Sequence, residues 1–316
     1  MFAHFISADW SKKSNKRSVY NANISERKVQ KEQPNGSSWN LDTLLDLANR
    51  YAVDGPVLIG LDLALGIPNN YWRLIRKESR ATPPKSFLEW LKGIDHSGRF
   101  FETVCKPDQW CIDCPWFKVP PGRGGLNSFT KLADDGMLRK IDKATGAKPI
   151  FAVSGIPGTV GSGTRSFWKE LIPQLNGKRD FAVWPFEGQL DSLGKEYPIV
   201  LCETYPRLAY AAALAPRLPY GQILISKTNS EIRNETIDSL YALKWVQKYK
   251  VDLGAPTLPK SNEDDFDAFL SGAALLRCLL EDMKPDDPQW IDPTAEGSML
   301  LSGIVDPSCK GKQFKV

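Results

Sequence analysis

Histidine is nearly absent from this chain: 316 residues include only two, His4 and His96. A Ser-His-Asp hydrolase needs a histidine base between nucleophile and orienting acid, so this scarcity argues against that chemistry. No apolar run approaches the roughly 20 residues that span a bilayer, and no membrane partner is expected. Charge of one sign is missing as well, since 41 basic residues face 37 acidic ones for a formal net charge of +4. That balance permits a nucleic-acid partner without demanding one, because a local basic patch outweighs the total. Six cysteines occur beside an N-terminus, MFAHFISADW, that reads as a strand and lacks the charged-then-apolar design of an export signal. A disulfide framework is therefore not expected, and a cytoplasmic location is. No internal repeat is present, and no Ser/Gly/Pro-rich or like-charged tract divides the chain.

What the chain does have is a set of acidic stations: Asp9 in FISADWS, Asp62 in VLIGLDLALGIP, Glu203 in IVLCETYP, and Asp264 with Asp267 in EDDFDAFLSGAALL. Each of the first three closes a short apolar run that reads as a buried strand. A buried carboxylate costs several kcal/mol unless it is hydrogen-bonded, ion-paired or neutralised by a metal. Several such acids on neighbouring strands repel one another, and a hard divalent cation with oxygen ligands, Mg2+ or Mn2+, resolves the repulsion. Other readings stand beside this one. Asp9 could end a strand and start a turn, Asp62 and Glu203 could each pair with an arginine or lysine, and Asp264 could cap a helix. Asp267, among Phe266, Ala268 and Phe269, needs a partner inside the first turns of a helix.

The pattern predicts an α/β domain with a mixed sheet. Strands are expected from Phe2 to Asp9, from Arg17 to Ile24 and near Lys28, then a helix in LDTLLDLANRYA and a strand buried on both faces in VLIGLDLAL. From 68 to 197 the pattern is irregular and reads as an α-rich insertion or cap. It holds short helices in YWRLIRK and SFLEWLKGI, a turn in PPGRGGLN, a helix in FTKLADDGMLRKIDKAT, another in GTRSFWKELIPQL that Pro173 should disturb, and a strand in FAVWPF. The core resumes with IVLCETYP and the helix RLAYAAALA. One amphipathic helix is expected in NETIDSLYALKWVQKY and a last long one in DDFDAFLSGAALLRCLLEDM.

Three lesser signals complete the reading. Cys105, Cys111 and Cys114, with His96 upstream, have ligand types for tetrahedral zinc, but the missing second close pair favours reduced thiols in a Trp-rich loop. GTVGSGT before a helix invites a phosphate loop yet lacks its lysine, so a tight turn is the better expectation. Lys12, Lys13, Lys16 and Arg17 make a basic hairpin tip beside Asp9 that could track a nucleic-acid backbone, or simply be a solvated turn.

The order strand-Asp, strand-Asp, strand-Glu and a C-terminal helix with DxxDA resembles ribonuclease H-like nucleases and Holliday-junction resolvases. More narrowly, SADWS, GLDLALGIP, LRKIDKATGA, VWPFEG, CETYPRLAY, DDFDAF and EGSMLL resemble the domain-of-unknown-function 429 family, a group expected to be nucleases of that fold. The resemblance covers nearly the whole chain. It implies a single ribonuclease H-like domain over 1–316 with the 68–197 insertion, and ligands Asp9, Asp62, Glu203 and Asp267 supported by Asp264. It also draws attention to Arg139, which could contact a substrate phosphate with Asp142 holding it, or form an ordinary salt bridge with that neighbour. The implied activity is hydrolysis of phosphodiester bonds in a nucleic acid or nucleotide by two metal ions, with Asp9 bridging them. An actin- or sugar-kinase-like phosphotransferase and a non-catalytic scaffold are the alternatives.

Overall fold

The computed structural model describes residues 2–79, 82–95, 98–119, 137–153, 160–217, 220–309 and 311–313. Its centre is a mixed sheet of β1 (His4–Asp9), β2 (Ser18–Asn23), β3 (Lys28–Lys31), β4 (Val57–Leu61), β5 (Phe181–Val183) and β6 (Ile199–Glu203). The order across the sheet is β3-β2-β1-β4-β6-β5. The first three strands form an antiparallel meander, and β1, β4, β6 and β5 run parallel. The hydrophilic segment SKKSNK makes the turn from β1 to β2 with a short 3-10 helix at Ser14–Lys16.

Helix α1 (Leu41–Tyr51) connects β3 to β4. Between β4 and β5 come α2 (Asn69–Glu78), α3 (Phe87–Lys92), α4 (Lys140–Thr145) and α5 (Gly161–Asn176). Helix α6 (Leu190–Glu196) leads into β6. After it follow α7 (Pro206–Leu214), α8 (Ser230–Ala242), α9 (Lys244–Tyr249), α10 (Thr257–Ser261) and α11 (Glu263–Leu280).

Strand side chains alternate between faces, and this divides the interior into two cores. Ile6, Ala8, Val57, Ile59, Leu61, Ile199 and Leu201 pack with Leu44, Tyr71, Phe87 and Trp168 on one side. Phe5, Leu58, Val200 and Cys202 pack with Leu208, Ile237, Phe266 and Leu270 on the other. Covered on both faces, β4 has every residue buried, which explains its unbroken apolar run. Helix α11 is docked on β1 by the Ser7 hydroxyl, which donates to the Ala268 carbonyl. Its buried Asp265 accepts from the Ser18 hydroxyl and pairs with Lys31 at 2.6 Å, fastening the helix start to β2 and β3.

Three expectations change. The NETIDSLYALKWVQKY segment is two helices, because Leu243 is extended with ψ 141°; the break turns Trp245 so that its indole N–H donates to the Ala213 carbonyl at 3.0 Å. Helix α5 continues through Pro173 to Asn176, since a proline in the last turn removes a single helical hydrogen bond while Leu171, Ile172 and Leu175 stay buried. Within 68–197, the strand expected in FAVWPF forms at Phe181–Val183, but it belongs to the central sheet as its edge strand and not to an insertion. PPGRGGLN, the first part of FTKLADDGMLRKIDKAT, His96, and Gly158 with Thr159 of GTVGSGT lie outside the described residues. No described helix is long and apolar enough to cross a membrane.

Candidate functional site

Parallel strands β1 and β4 end side by side, with Ala8 paired to Leu61. The next residues, Asp9 and Asp62, turn to the face covered by α11, opposite to the face taken by Ala8 and Leu61. Clefts at the carboxyl ends of parallel strands are common ligand positions because loops diverge there. Asp267 enters from α11, one turn after the cap residue Asn262, whose side chain accepts from the Asp264 and Asp265 amides. One oxygen from each of Asp9, Asp62 and Asp267 lies within 4.8 Å of the others. Among the described residues no other trio of potential metal ligands meets in this way. Cys105, Cys111 and Cys114 do not, so the thiol loop contains no three-sulfur site, and its His96 lies outside the described residues.

The cluster is charged against its own interest. Burial, with the Asp62 and Asp267 charges added to it, pushes the Asp9 carboxyl well above the usual range, against the pull of Lys227. Burial and the Asp267 charge push Asp62 up to about 7. Asp264 is half-buried one turn before Asp267, and burial raises it too. Asp267 is buried and fully engaged: the Tyr210 hydroxyl donates to Oδ1 and the Lys227 ammonium to Oδ2. Burial alone would lower Lys227, but the charges of Asp267 and Asp9 outweigh it and raise the lysine. Sequence reasoning missed Lys227 and Tyr210. The lysine is a single cation in the polar turn SKTNS, and the tyrosine sits in a helix of apolar spacing.

Glu203 does not join the cluster. It pairs in register with Leu61, so alternation turns it toward the opposite face from Asp62. There its carboxylate makes a bidentate contact with Arg139, at 2.6 and 2.7 Å, and Oε2 also accepts from the Leu65 amide at 2.8 Å. Arg139 is 1% exposed. Its Nε and Nη2 bond both oxygens of Asp142, and its Nη1 also faces the carbonyls of Leu65 and Glu296. All five N–H groups thus have protein acceptors. Of the two readings of Arg139, a phosphate contact or a salt bridge with Asp142, the structure contains the salt bridge, buried rather than on the surface and extended into a network that ties β6, α4 and the Glu296 segment together. The charges of Asp142 and Glu203 hold the guanidinium well above its ordinary pKa despite burial. Lys12 is exposed on the turn after β1, outside the trio.

Asp264 also lines a groove of about 460 Å³ with Lys16, Lys31, Thr228 and Arg233. The groove begins beside the cluster, because Thr228 follows Lys227 and Asp264 acts on Asp9.

The raised carboxyls have a measurable consequence. Asp62 keeps a proton in the folded protein up to about pH 7, whereas the unfolded chain releases it near 3.9. Between those values the folded state binds more protons, so metal-free stability falls as pH rises. Asp9 acts in the same direction. Urea unfolding near pH 5 and near pH 8 is expected to show a larger loss in the wild type than in Asp62→Asn. Equal losses would show that the buried Asp62 carboxyl does not govern this pH dependence.

Comparison with protein-family models, curated proteins and solved structures yields no match.

Proposed function

We propose that this protein is a metal-dependent nuclease that hydrolyses phosphodiester bonds, built on a ribonuclease H-like core related to the domain-of-unknown-function 429 family. The observation that carries the reading is the meeting of Asp9, Asp62 and Asp267 at the ends of β1, β4 and the start of α11. The strand order supports it: an antiparallel meander followed by parallel β4 and β6 beside β1 is what a ribonuclease H-like core would require, with β5 added at the edge.

The donor set fits magnesium or manganese, since it consists of carboxylate oxygens, and two of those carboxyls are pushed up by burial and by the charges of neighbouring acids. A cation bound there supplies charge neutralisation for the phosphoryl oxygens and a water activated at neutral pH. The chain itself provides the rest. Asp9 and Asp62 present oxygens from two adjacent strand ends, and Asp267 is aimed by the Tyr210 hydroxyl. Glu203 and Arg139 contribute by holding the Leu65 turn just beyond Asp62. Lys16, Lys31 and Arg233 in the adjoining groove offer positive charge to a nucleic-acid backbone, although Lys31 shares its charge with Asp265.

Lys227 favours a second reading. Its ammonium already offsets the acids, as expected of an ion-pair network that stabilises a non-catalytic binding protein. Magnesium separates the two. On the nuclease reading, duplex, single-stranded, hybrid or branched nucleic acid is cut with Mg2+ or Mn2+ and spared with chelator. The ion also stabilises the fold, by roughly 2.7 kcal/mol at a hundredfold excess over Kd. A protein that neither gains stability from these ions nor cuts any of the four substrates is not this nuclease.

A further inference from the structure

Lys227 meets the same acids that would hold a divalent cation. Its Nζ is ion-paired with Asp267 Oδ2, and the charges of Asp9 and Asp62 act on it as well. An ammonium in that position relieves repulsion among the acids, which is the electrostatic task a metal ion performs. The two occupants compete at Asp267. Its Oδ1 accepts from Tyr210 and its Oδ2 from Lys227, so a cation that approaches the second oxygen meets the like charge of the ammonium.

The loop is built so that the side chain can leave while its backbone stays. Lys227 lies between the short strand Ile223–Leu224 and Asn229, whose side chain caps α8. Buried Arg233 donates to the Lys227 carbonyl and, through Nε, to the Lys260 carbonyl at 3.0 Å. Those bonds pin the main chain of Lys227 to the end of α10. The lysine side chain is 35% exposed, whereas that of Asp267 is 1% exposed. A flexible four-carbon stem with a fixed base and an open flank rotates into water readily. Arg139 is the contrasting case, enclosed and bonded at every N–H.

We propose that Lys227 is an exchangeable internal counter-ion, holding Asp9, Asp62 and Asp267 together without metal and swinging out of the cluster when a divalent cation binds. The inference rests on the metal-site reading above and adds to it the residue that sets cation affinity. Lysine and cation are then mutually exclusive, so the lysine weakens metal binding by as much as the metal weakens the lysine's contacts.

The test is magnesium titration calorimetry of the wild type, Lys227→Met and Lys227→Arg, with melting of each in chelator. Lys227→Met is expected to bind magnesium about tenfold or more tightly and to melt lower without it, because a like charge is removed from the cation's site. Lys227→Arg keeps the charge and should bind no more tightly than the wild type. A second measurement uses the unaltered protein, in case the methionine variant folds poorly. Acetic anhydride labelling at fixed pH, read by peptide mass spectrometry, should modify Lys227 severalfold faster with magnesium while exposed Lys178 stays constant. Unchanged magnesium affinity in Lys227→Met, or Lys227 labelling that magnesium leaves unchanged or slows, overturns the exchange even if the wild type cleaves. Magnesium uptake by Lys227→Met alone supports it in its strongest form. Absence of uptake by every protein overturns both this inference and the metal reading beneath it.

Discussion

Asp9→Asn is expected to lose magnesium-dependent cleavage by a factor on the order of a thousand or more while the metal-free protein becomes more stable. The substitution keeps the shape of the side chain and removes one negative charge from a cluster that burial and neighbouring acids already push toward protonation. On the nuclease reading that charge is needed to hold the cation against the phosphate, so the loss falls on chemistry. In the folded metal-free protein the same charge is a liability, since it faces Asp62 and Asp267 across less than 4.8 Å. Removing it relieves repulsion, and functional sites commonly trade stability for activity in this way. Melting and cleavage of both proteins at about pH 8, with magnesium and with chelator, check the two halves together. The scaffold reading expects the opposite sign: Asn at position 9 weakens the network around Lys227, the melting temperature falls, and there is no cleavage to lose. Asp264→Asn is a useful comparison, because that half-buried acid lies at the edge of the cluster and its removal should have a smaller effect on both measurements.

The second large effect belongs to Arg139. Arg139→Met should destabilise the protein by about 3–5 kcal/mol, because it strands two buried carboxylates, Glu203 and Asp142, that share one guanidinium. It also leaves the carbonyls of Leu65 and Glu296 without that donor. Urea unfolding of the single variant and of Arg139→Met/Glu203→Gln separates the contributions. The double variant should recover part of the loss, since one of the unpaired charges is gone. An arginine reserved for substrate phosphate would behave otherwise, with unchanged unfolding and weakened nucleic-acid binding. Such a result would contradict the enclosed network seen between β6, α4 and the Glu296 segment.

Much of the architecture was legible along the chain. The continuous apolar run of VLIGL marks a strand covered on both faces, and the polar segment SKKSNK marks a hairpin turn. These are local properties, governed by burial period and turn chemistry, and they survive into the folded protein unchanged. The helix pattern was legible only where nothing distant competed. In NETIDSLYALKWVQKY the apolar spacing continues through Leu243, yet the chain breaks there and Trp245 reaches the Ala213 carbonyl. A hydrogen bond across 32 residues leaves no trace in local periodicity.

The division of the acids shows the same boundary more sharply. Residue order along the chain was enough to single out Asp9, Asp62, Glu203 and Asp267 as carboxylates at the ends of core elements, each requiring a partner. Which partner each one found depended on register. Asp9 and Asp62 follow the pair Ala8–Leu61, whereas Glu203 is itself paired with Leu61, one residue out of phase. Since successive strand residues point to opposite faces, that single step sends Glu203 to Arg139 and leaves the other two to meet Asp267. Strand pairing between segments more than a hundred residues apart is a tertiary fact, and so is the arrival of Lys227 at the acids from a polar turn. Composition and periodicity determine that a charge must be compensated when it is buried; only the folded sheet, which brings distant residues within reach, decides what compensates it.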